Sequence, residues 1–533
     1  MEKEKTINGE NSRVAKAAGV VGAATMLSRI FGFIRDMVVA GFFGAGMATD
    51  AFFVAFRIPN LLRRLLGEGS LTVSFVPVFT EYLKKKSRED AYELANIAFT
   101  LLSSLLVLVT IAGVVFSPLI VMVMAPGFVK SPIQYDLAVF LTRLMFPYIF
   151  FISLVALCMG ILNSLRHFAV PALSPVVLNI ALILAALTLR DFFSEPITAL
   201  AIGVLIGGLL QLAMQWPILV KMGVLLKPDF RFNHPGLRQI GALLLPTLIG
   251  SSVYQINIFI GTILASLLPK GSVSFLYYAD RLVELPLGVF AIAVGTASLP
   301  SFSEQVSMGD FENLKKTISF SLRLILFITI PATVALIALR IPIISVLFQR
   351  GAFDGRSTLL TAQALLYYSL GLWAFSVIRV IDSAFFSIQD RKSPLKAAVV
   401  SLFVSVTFSV VLMFPLKHGG LALATSIASA VNVMILAIIL KRKIGTFLDR
   451  EFFRSIFRTI FPSLMMWGAI VLVGYIIPWG NAAPFQTRFY FLTASIVAGM
   501  AAFLTFSFLV KNPEIMMLTG AVKRRVRRNY SGF

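Results

Sequence analysis

The feature that most constrains this chain is the recurrence of apolar stretches twenty or more residues long, from near residue 17 to near residue 510. A stretch such as Ala98 to Met124 is apolar on nearly every face, which fits a helix in lipid and not a strand of a membrane barrel. Barrel strands alternate apolar and polar residues over about ten positions. Of the 533 residues, 58% are apolar and 14% charged, against about 45–50% and about 25% in soluble domains. Too little charge is present to coat the three or four soluble domains that this length would otherwise suggest. The fold class is therefore an all-α polytopic membrane protein. The single cysteine, Cys158, and three scattered histidines provide neither a disulfide framework nor metal-ligand spacing, so no metal or other cofactor is expected.

Apolar segments bounded by charge, Gly or Pro give about fourteen transmembrane helices, near 17–43, 51–82, 92–123, 134–162, 170–189, 196–220, 237–268, 272–305, 317–339, 358–387, 394–415, 419–440, 454–478 and 488–510. Residues 1–16 are polar and contain no signal-peptide core. If they are cytoplasmic, every second loop lies on the same side and those loops hold nearly all the loop Lys and Arg. Lys84-Lys85-Lys86-Ser87-Arg88, Lys441-Arg442-Lys443 and the run Lys523 to Arg528 are among them. The positive-inside rule then places both termini in the cytoplasm. It also explains the net charge of +22 without nucleic acid, leaving the basic tail, 511–533, to membrane lipids or topology.

The chain repeats itself. Ala55-Phe56-Arg57-Ile58 matches Ala279-Asp280-Arg281-Leu282, Pro77 and Glu81 match Pro300 and Glu304, and Pro171, Val176 and Val177 match Pro394, Val399 and Val400, all at an offset of 223 or 224. That offset spans six helices, an even number, so the halves run parallel. The expected architecture is two six-helix lobes, 17–221 and 237–440, related by a pseudo-two-fold along the membrane normal, with two further helices in 454–510. Such an architecture suits alternating access.

Arg29, Arg35, Arg57, Arg63, Arg64, Arg143, Arg281, Arg323 and Arg379 fall within or at the ends of spans. Five lie in the first two spans and would together cost on the order of 12–17 kcal/mol in hydrocarbon without water, a partner or a ligand. Asp50, Arg57, Arg64 and Glu68 form a stripe on the second span, with Asn60 beside it; Ser274, Tyr277, Arg281 and Glu284 form one on the eighth. Snorkelling accounts for end positions such as Arg63 and Arg64, and an ion pair for Arg281 with Glu284, but neither accounts for cationic stripes in both repeats. Guanidinium-rich surfaces suit an anionic ligand, phosphate above all.

At these residues the sequence resembles the MurJ (MviN) lipid II flippases of the multidrug/oligosaccharidyl-lipid/polysaccharide exporter superfamily, over roughly residues 17–510. The likeness rests on Ser28-Arg29-Ile30-Phe31-Gly32-Phe33-Ile34-Arg35-Asp36, Gly44 to Phe53, Pro59 to Arg64, Ala125-Pro126-Gly127-Phe128 and Tyr277 to Leu282. The resemblance implies a non-enzymatic transporter in the bacterial inner membrane. It would move lipid II, the undecaprenyl-pyrophosphate-linked peptidoglycan precursor, from the cytoplasmic to the periplasmic leaflet and so serve cell-wall biogenesis and cell shape, with the cell-wall synthesis machinery as partner. It implies substrate-binding roles for Arg29, Arg35, Asp50, Arg63, Ser274, Arg281 and Glu284. Arg57, Asn60, Arg64, Glu68 and Tyr277 are secondary candidates from the stripes. It also implies a lipid-tail groove in 454–510. In one departure from the family pattern, 237–268 and 394–415 lack the Asp or Glu that some members use for sodium. Rival readings are a flippase for another polyprenyl-linked glycan and a cation-coupled drug antiporter; the short, acid-poor loops disfavour a membrane glycosyltransferase or phosphatase.

Overall fold

The computed structural model describes the backbone of residues 2–62, 71–480, 483–517 and 519–520, and the side chains of these except residues 2–18, 62, 72 and 248–254. Arg63, Arg64, Glu68 and the basic run Lys523 to Arg528 lie outside the described residues. Among those described, every regular element is helical. The first half contains α1 (Glu2–Phe43), α2 (Met47–Leu62), α3 (Leu71–Lys85), α4 (Arg88–Val115), α5 (Ser117–Met124), α6 (Pro132–Met145), α7 (Tyr148–Ser164), α8 (Ala169–Thr188), α9 (Thr198–Lys221) and α10 (Pro235–Ser266). The second contains α11 (Ser272–Pro286), α12 (Ile292–Ser307), α13 (Phe311–Ala338), α14 (Arg340–Leu347), α15 (Gly355–Ser369), α16 (Leu372–Ser387), α17 (Lys392–Leu416), α18 (His418–Ile444), α19 (Arg450–Ile476) and α20 (Phe485–Leu509).

Each of the fourteen segments read from the sequence overlaps helix over most of its described residues. Among the described residues ten segments are long and apolar enough to cross a bilayer, and eleven if α15 with α16, bent by 41° at Leu370 and Gly371, is counted as one span. Large apolar side chains stand exposed along them, for example Leu108 at 66% and Phe414 at 76%. Water would not tolerate so much apolar surface, and lipid does not penalise it.

The repeat seen in the sequence governs the helix boundaries. A shift of 223 carries α4 onto α13 and α5 onto α14 at both ends, and carries the ends of α1 and α9 onto those of α10 and α18. The N-cap of α4, Ser87, corresponds to that of α13, Asp310, and each side chain accepts a hydrogen bond from the backbone three residues on. Even the left-handed turns repeat, at Arg166 (φ 63°) and Gln389 (φ 56°).

Packing divides the chain into two compact units, Met1–Ser274 and Phe275–Phe533. In the first, α1 lies along α8, α2 along α6, α3 along α7, and α10 packs on α3, α4 and α5. Its core gathers Phe75, Phe79, Leu94, Leu157 and Ile161. In the second, α12 lies along α16 and α17 along α18, which are the repeat counterparts of the α3–α7 and α8–α9 pairs; α19 and α20 form a hairpin against α13. One core gathers Phe302, Ile318, Ile325 and Phe385, and another, under the hairpin, Phe327, Met466, Phe491 and Phe503. Residues 237–268, the counterpart of 17–43 by offset, thus group by packing with the first unit.

Candidate functional site

In the first unit α1 supplies Arg29, which is exposed, and Arg35, which is mostly buried. The Arg35 guanidinium donates from Nε and Nη2 to Oδ1 of Asp36, at 3.0 and 2.7 Å, and from Nη1 to Oδ1 of Asn179 on α8 at 3.0 Å. Adjacent residues on a helix point about 100° apart, so the pair with Asp36 forms only because the Arg stem is long enough to swing round. Asn179 is buried and donates from Nδ2 to the Ser28 carbonyl at 3.2 Å, which ties the guanidinium back to its own helix. On α2, Arg57 donates to Thr262 Oγ1 of α10, and Asn60 lies partly buried one turn on.

Asp50 and Ser274 meet each other. Asp50 is 2% exposed; its Oδ2 accepts the Gly271 N–H at 2.6 Å, and its Oδ1 accepts the Ser274 N–H at 2.8 Å and the Ser274 hydroxyl at 2.6 Å. This is an N-cap supplied from a distant helix: the carboxylate satisfies donors at the start of α11 and faces the positive end of its dipole. The two residues occupy equivalent positions of the repeat, 224 apart. The structure therefore gives both a holding role at the start of the helix that carries the eighth-span stripe.

Of that stripe, Tyr277, Arg281 and Glu284 lie in the second unit and contact one another, while Ser274 belongs to the first unit. Arg281 Nη1 donates to Glu284 Oε2 at 2.6 Å, and the guanidinium carbon stands 4.8 Å from the centre of the Tyr277 ring. The Arg281 side chain keeps 27% of its surface exposed and that of Glu284 37%, so the group is held but reachable. Directly after Pro286 the helix opens into a π turn, Leu287–Ala291, a wide turn frequent at functional sites.

Not every intramembrane arginine is a site candidate. Arg143 donates to Ser117 Oγ at 2.9 Å, and Arg323 pairs with Glu451 at 3.2 Å and with the buried Glu514 at 3.5 Å, so both serve packing. Sequence reasoning missed Asn179 and Thr262. Each is a single polar residue within an apolar run, the one signal that could have marked it. Among the described residues no three His, Cys, Asp or Glu side chains gather as a metal site would require. The guanidinium groups of Arg35 and Arg281 are each fixed beside a carboxylate, of Asp36 and Glu284 respectively.

Gly127 explains part of the Ala125 to Phe128 motif. A Cβ there would lie 1.9 Å from the Ser266 carbonyl oxygen at the end of α10, and the Gly127 N–H donates to Ser266 Oγ at 3.2 Å. No other residue permits that approach.

The pattern of the family described as "Lipid II flippase MurJ" matches residues 39–490. The chain belongs to the MurJ lipid II flippase family. The "Probable lipid II flippase MurJ" of Buchnera aphidicola subsp. Acyrthosiphon pisum is 39% identical over 84% of this chain and 87% of its own length. The protein of that description from Vibrio cholerae is 37% identical over 80% and 82%. A solved structure described as "Lipid II flippase MurJ, inward closed conformation" superposes with a TM-score of 0.77 at 30% identity, covering 92% of this chain and 98% of that one. An inward-facing multidrug resistance MATE family transporter superposes with a TM-score of 0.64 at 17% identity, a likeness of fold alone. The chain is thus a membrane transporter of the MurJ family.

Proposed function

We propose that this protein flips lipid II from the cytoplasmic to the periplasmic leaflet of the bacterial inner membrane by alternating access. The observation that carries the reading is a held but reachable guanidinium, Arg281 over Tyr277 and beside Glu284, in a chain of the MurJ family. The task is physical. A charged sugar-peptide headgroup cannot cross about 30 Å of hydrocarbon unaided, and a polar path lined by fixed cations lowers that barrier without covalent chemistry. In this reading Arg29, Arg35, Arg63 and Arg281 grip the pyrophosphate. Asn179 and Asp36 orient Arg35, Glu284 and Tyr277 orient Arg281, and Asp50 with Ser274 sets the start of α11.

The same reading makes all fourteen helical segments spans, arranged as two lobes about a pseudo-two-fold with both termini cytoplasmic. It assigns the polyprenyl tail to a groove in 454–510 and makes the cell-wall synthesis machinery a partner. Loop charge supports the orientation, and the coincident helix boundaries support the lobes. The membrane potential is available as a drive, at about 2.3 kcal/mol per unit charge per 100 mV.

The test is competition for the purified protein reconstituted in nanodiscs. Lipid II binds, undecaprenyl pyrophosphate competes, and uncharged polyprenol of equal length competes far less. Equal competition by the polyprenol would overturn the pyrophosphate grip. A cationic drug binding more tightly than lipid II, and more tightly still after Arg281→Ala, would favour the antiporter reading.

A further inference from the structure

In the second unit, α13, α16, α18, the α18–α19 turn and the start of α19 line a half-open cavity of about 330 Å³ whose lining is entirely apolar, including Leu322, Leu326, Trp373, Val377, Val433 and Phe452. It lies beside one of the unit's cores and draws no wall from α20; its one residue within 454–510 is Ile456, at the start of α19. Close-packed side chains rarely leave a recess of this volume between them. Water gains nothing there because the walls offer no hydrogen bonds, whereas apolar molecules do fill such cavities.

The shape and the charge at one end select the occupant. From Leu322 to Ile330 the lining runs eight residues along α13, about 12 Å of helix, against about 15 Å of hydrocarbon in one leaflet. On α18, Val433 and Ala437 line the cavity, and Lys441, exposed, continues the same stripe at a spacing of four. Lys315, seven residues before Leu322, lies against the turn between α18 and α19; a Cβ on Gly445 would stand 3.3 Å from its Nζ. Lys315 also pairs with Glu312 at 2.6 Å. A one-leaflet apolar slot ending at lysines matches a phosphodiester with a hydrocarbon chain below it.

We propose that this cavity is a binding site for a bilayer glycerophospholipid, with one acyl chain between α13, α16 and α18 and the phosphate beside Lys441. The lipid would fill the unit and remain in place as a resident group. The proposal stands independently of which lipid the protein flips.

Trp373 reports on the cavity directly. The other tryptophans, Trp216, Trp467 and Trp479, are replaced by Phe, and phosphatidylglycerol brominated on its acyl chain is titrated into the delipidated protein in detergent. Saturable quenching at one lipid per protein is expected. Ala437→Phe, which fills the slot, should abolish the saturable phase. Lys441→Gln, a surface change that does not threaten folding, should weaken the apparent affinity about fivefold, the equivalent of about 1 kcal/mol for one lysine near a membrane surface. Quenching that rises in proportion to lipid without saturating would overturn the proposal. So would saturable quenching indifferent to Lys441→Gln, or quenching by a brominated polyprenyl phosphate but not by the phospholipid.

Discussion

Asp50→Ala isolates the link between α2 and the helix that carries Arg281. The wild-type carboxylate satisfies two backbone N–H groups, of Gly271 and Ser274, and the Ser274 hydroxyl, all shielded from water. Alanine strands the two backbone donors. At roughly 1–3 kcal/mol for each buried donor left unpaired, the loss is about 2–6 kcal/mol. Ser274→Ala removes one bond while the N–H keeps its acceptor, at a cost of about 0.5–1.5 kcal/mol. Asp50→Asn retains one side-chain oxygen and falls between the two. Because Ser274 bonds to the group that Asp50→Ala removes, the double variant should be little worse than Asp50→Ala alone. Differential scanning fluorimetry of the detergent-purified proteins reads the order as wild type, Ser274→Ala, Asp50→Asn, Asp50→Ala. Lipid II binding should fall along the same order as α11 loosens. If Asp50→Ala proves no worse than Ser274→Ala, or the two losses simply add, the carboxylate does not hold the start of α11 and the reasoning fails.

The remaining expectations address orientation, grip and acid stability. With Cys158 replaced, single cysteines at the exposed positions Lys130 and Arg356 should react with an impermeant reagent in intact cells, and those at Ser87 and Lys392 only after permeabilisation; the reverse pattern would invert the assigned orientation. Arg281→Ala should abolish complementation of a flippase-depleted strain with the protein still abundant in the membrane. Arg281→Lys should restore it in part because the ammonium keeps charge but loses the fork, and full activity of the alanine variant would reduce the residue to an ion-pair member. In the turn before α17, burial pushes the Asp390 carboxyl up, but hydrogen bonds from the Ser393 hydroxyl and N–H, together with Lys443, hold it lower, at about 2. Its folded value is depressed, so its stabilisation is complete above the ordinary carboxylate range and is lost as pH falls from about 4 toward 2. Asp390→Asn should therefore lower the unfolding temperature at pH 7 and flatten its decline below pH 4, and an unchanged acid profile would contradict this.

What could be read in the sequence followed periodicity. Unbroken apolar runs gave the helices, and the offset of 223 read from the sequence carries α4 onto α13 and α5 onto α14 in the structure. The Tyr277, Arg281 and Glu284 face could be read because its contacts are local to one helix. The breaks inside spans were harder to see, since Phe116 between α4 and α5, and Leu370 and Gly371 between α15 and α16, sit in sequence as apolar as the helices they interrupt. The partners of the arginines were also hidden. Asn179 approaches Arg35 across 144 residues and Thr262 approaches Arg57 across 205, and residue spacing carries no information about such contacts. Asp50 stood out as the carboxylate at the head of the second-span stripe, but its role could not be told until the first turn of α11 was seen to lie against it.

The central claim is translocation, and it is tested most directly by measuring lipid II in each leaflet while this protein is depleted from cells that rely on it. The account predicts that lipid II accumulates in the cytoplasmic leaflet, that periplasmic lipid II disappears, and that re-expression of the wild type, but not of Arg281→Ala, restores it. An unchanged supply of periplasmic lipid II after depletion would contradict the account.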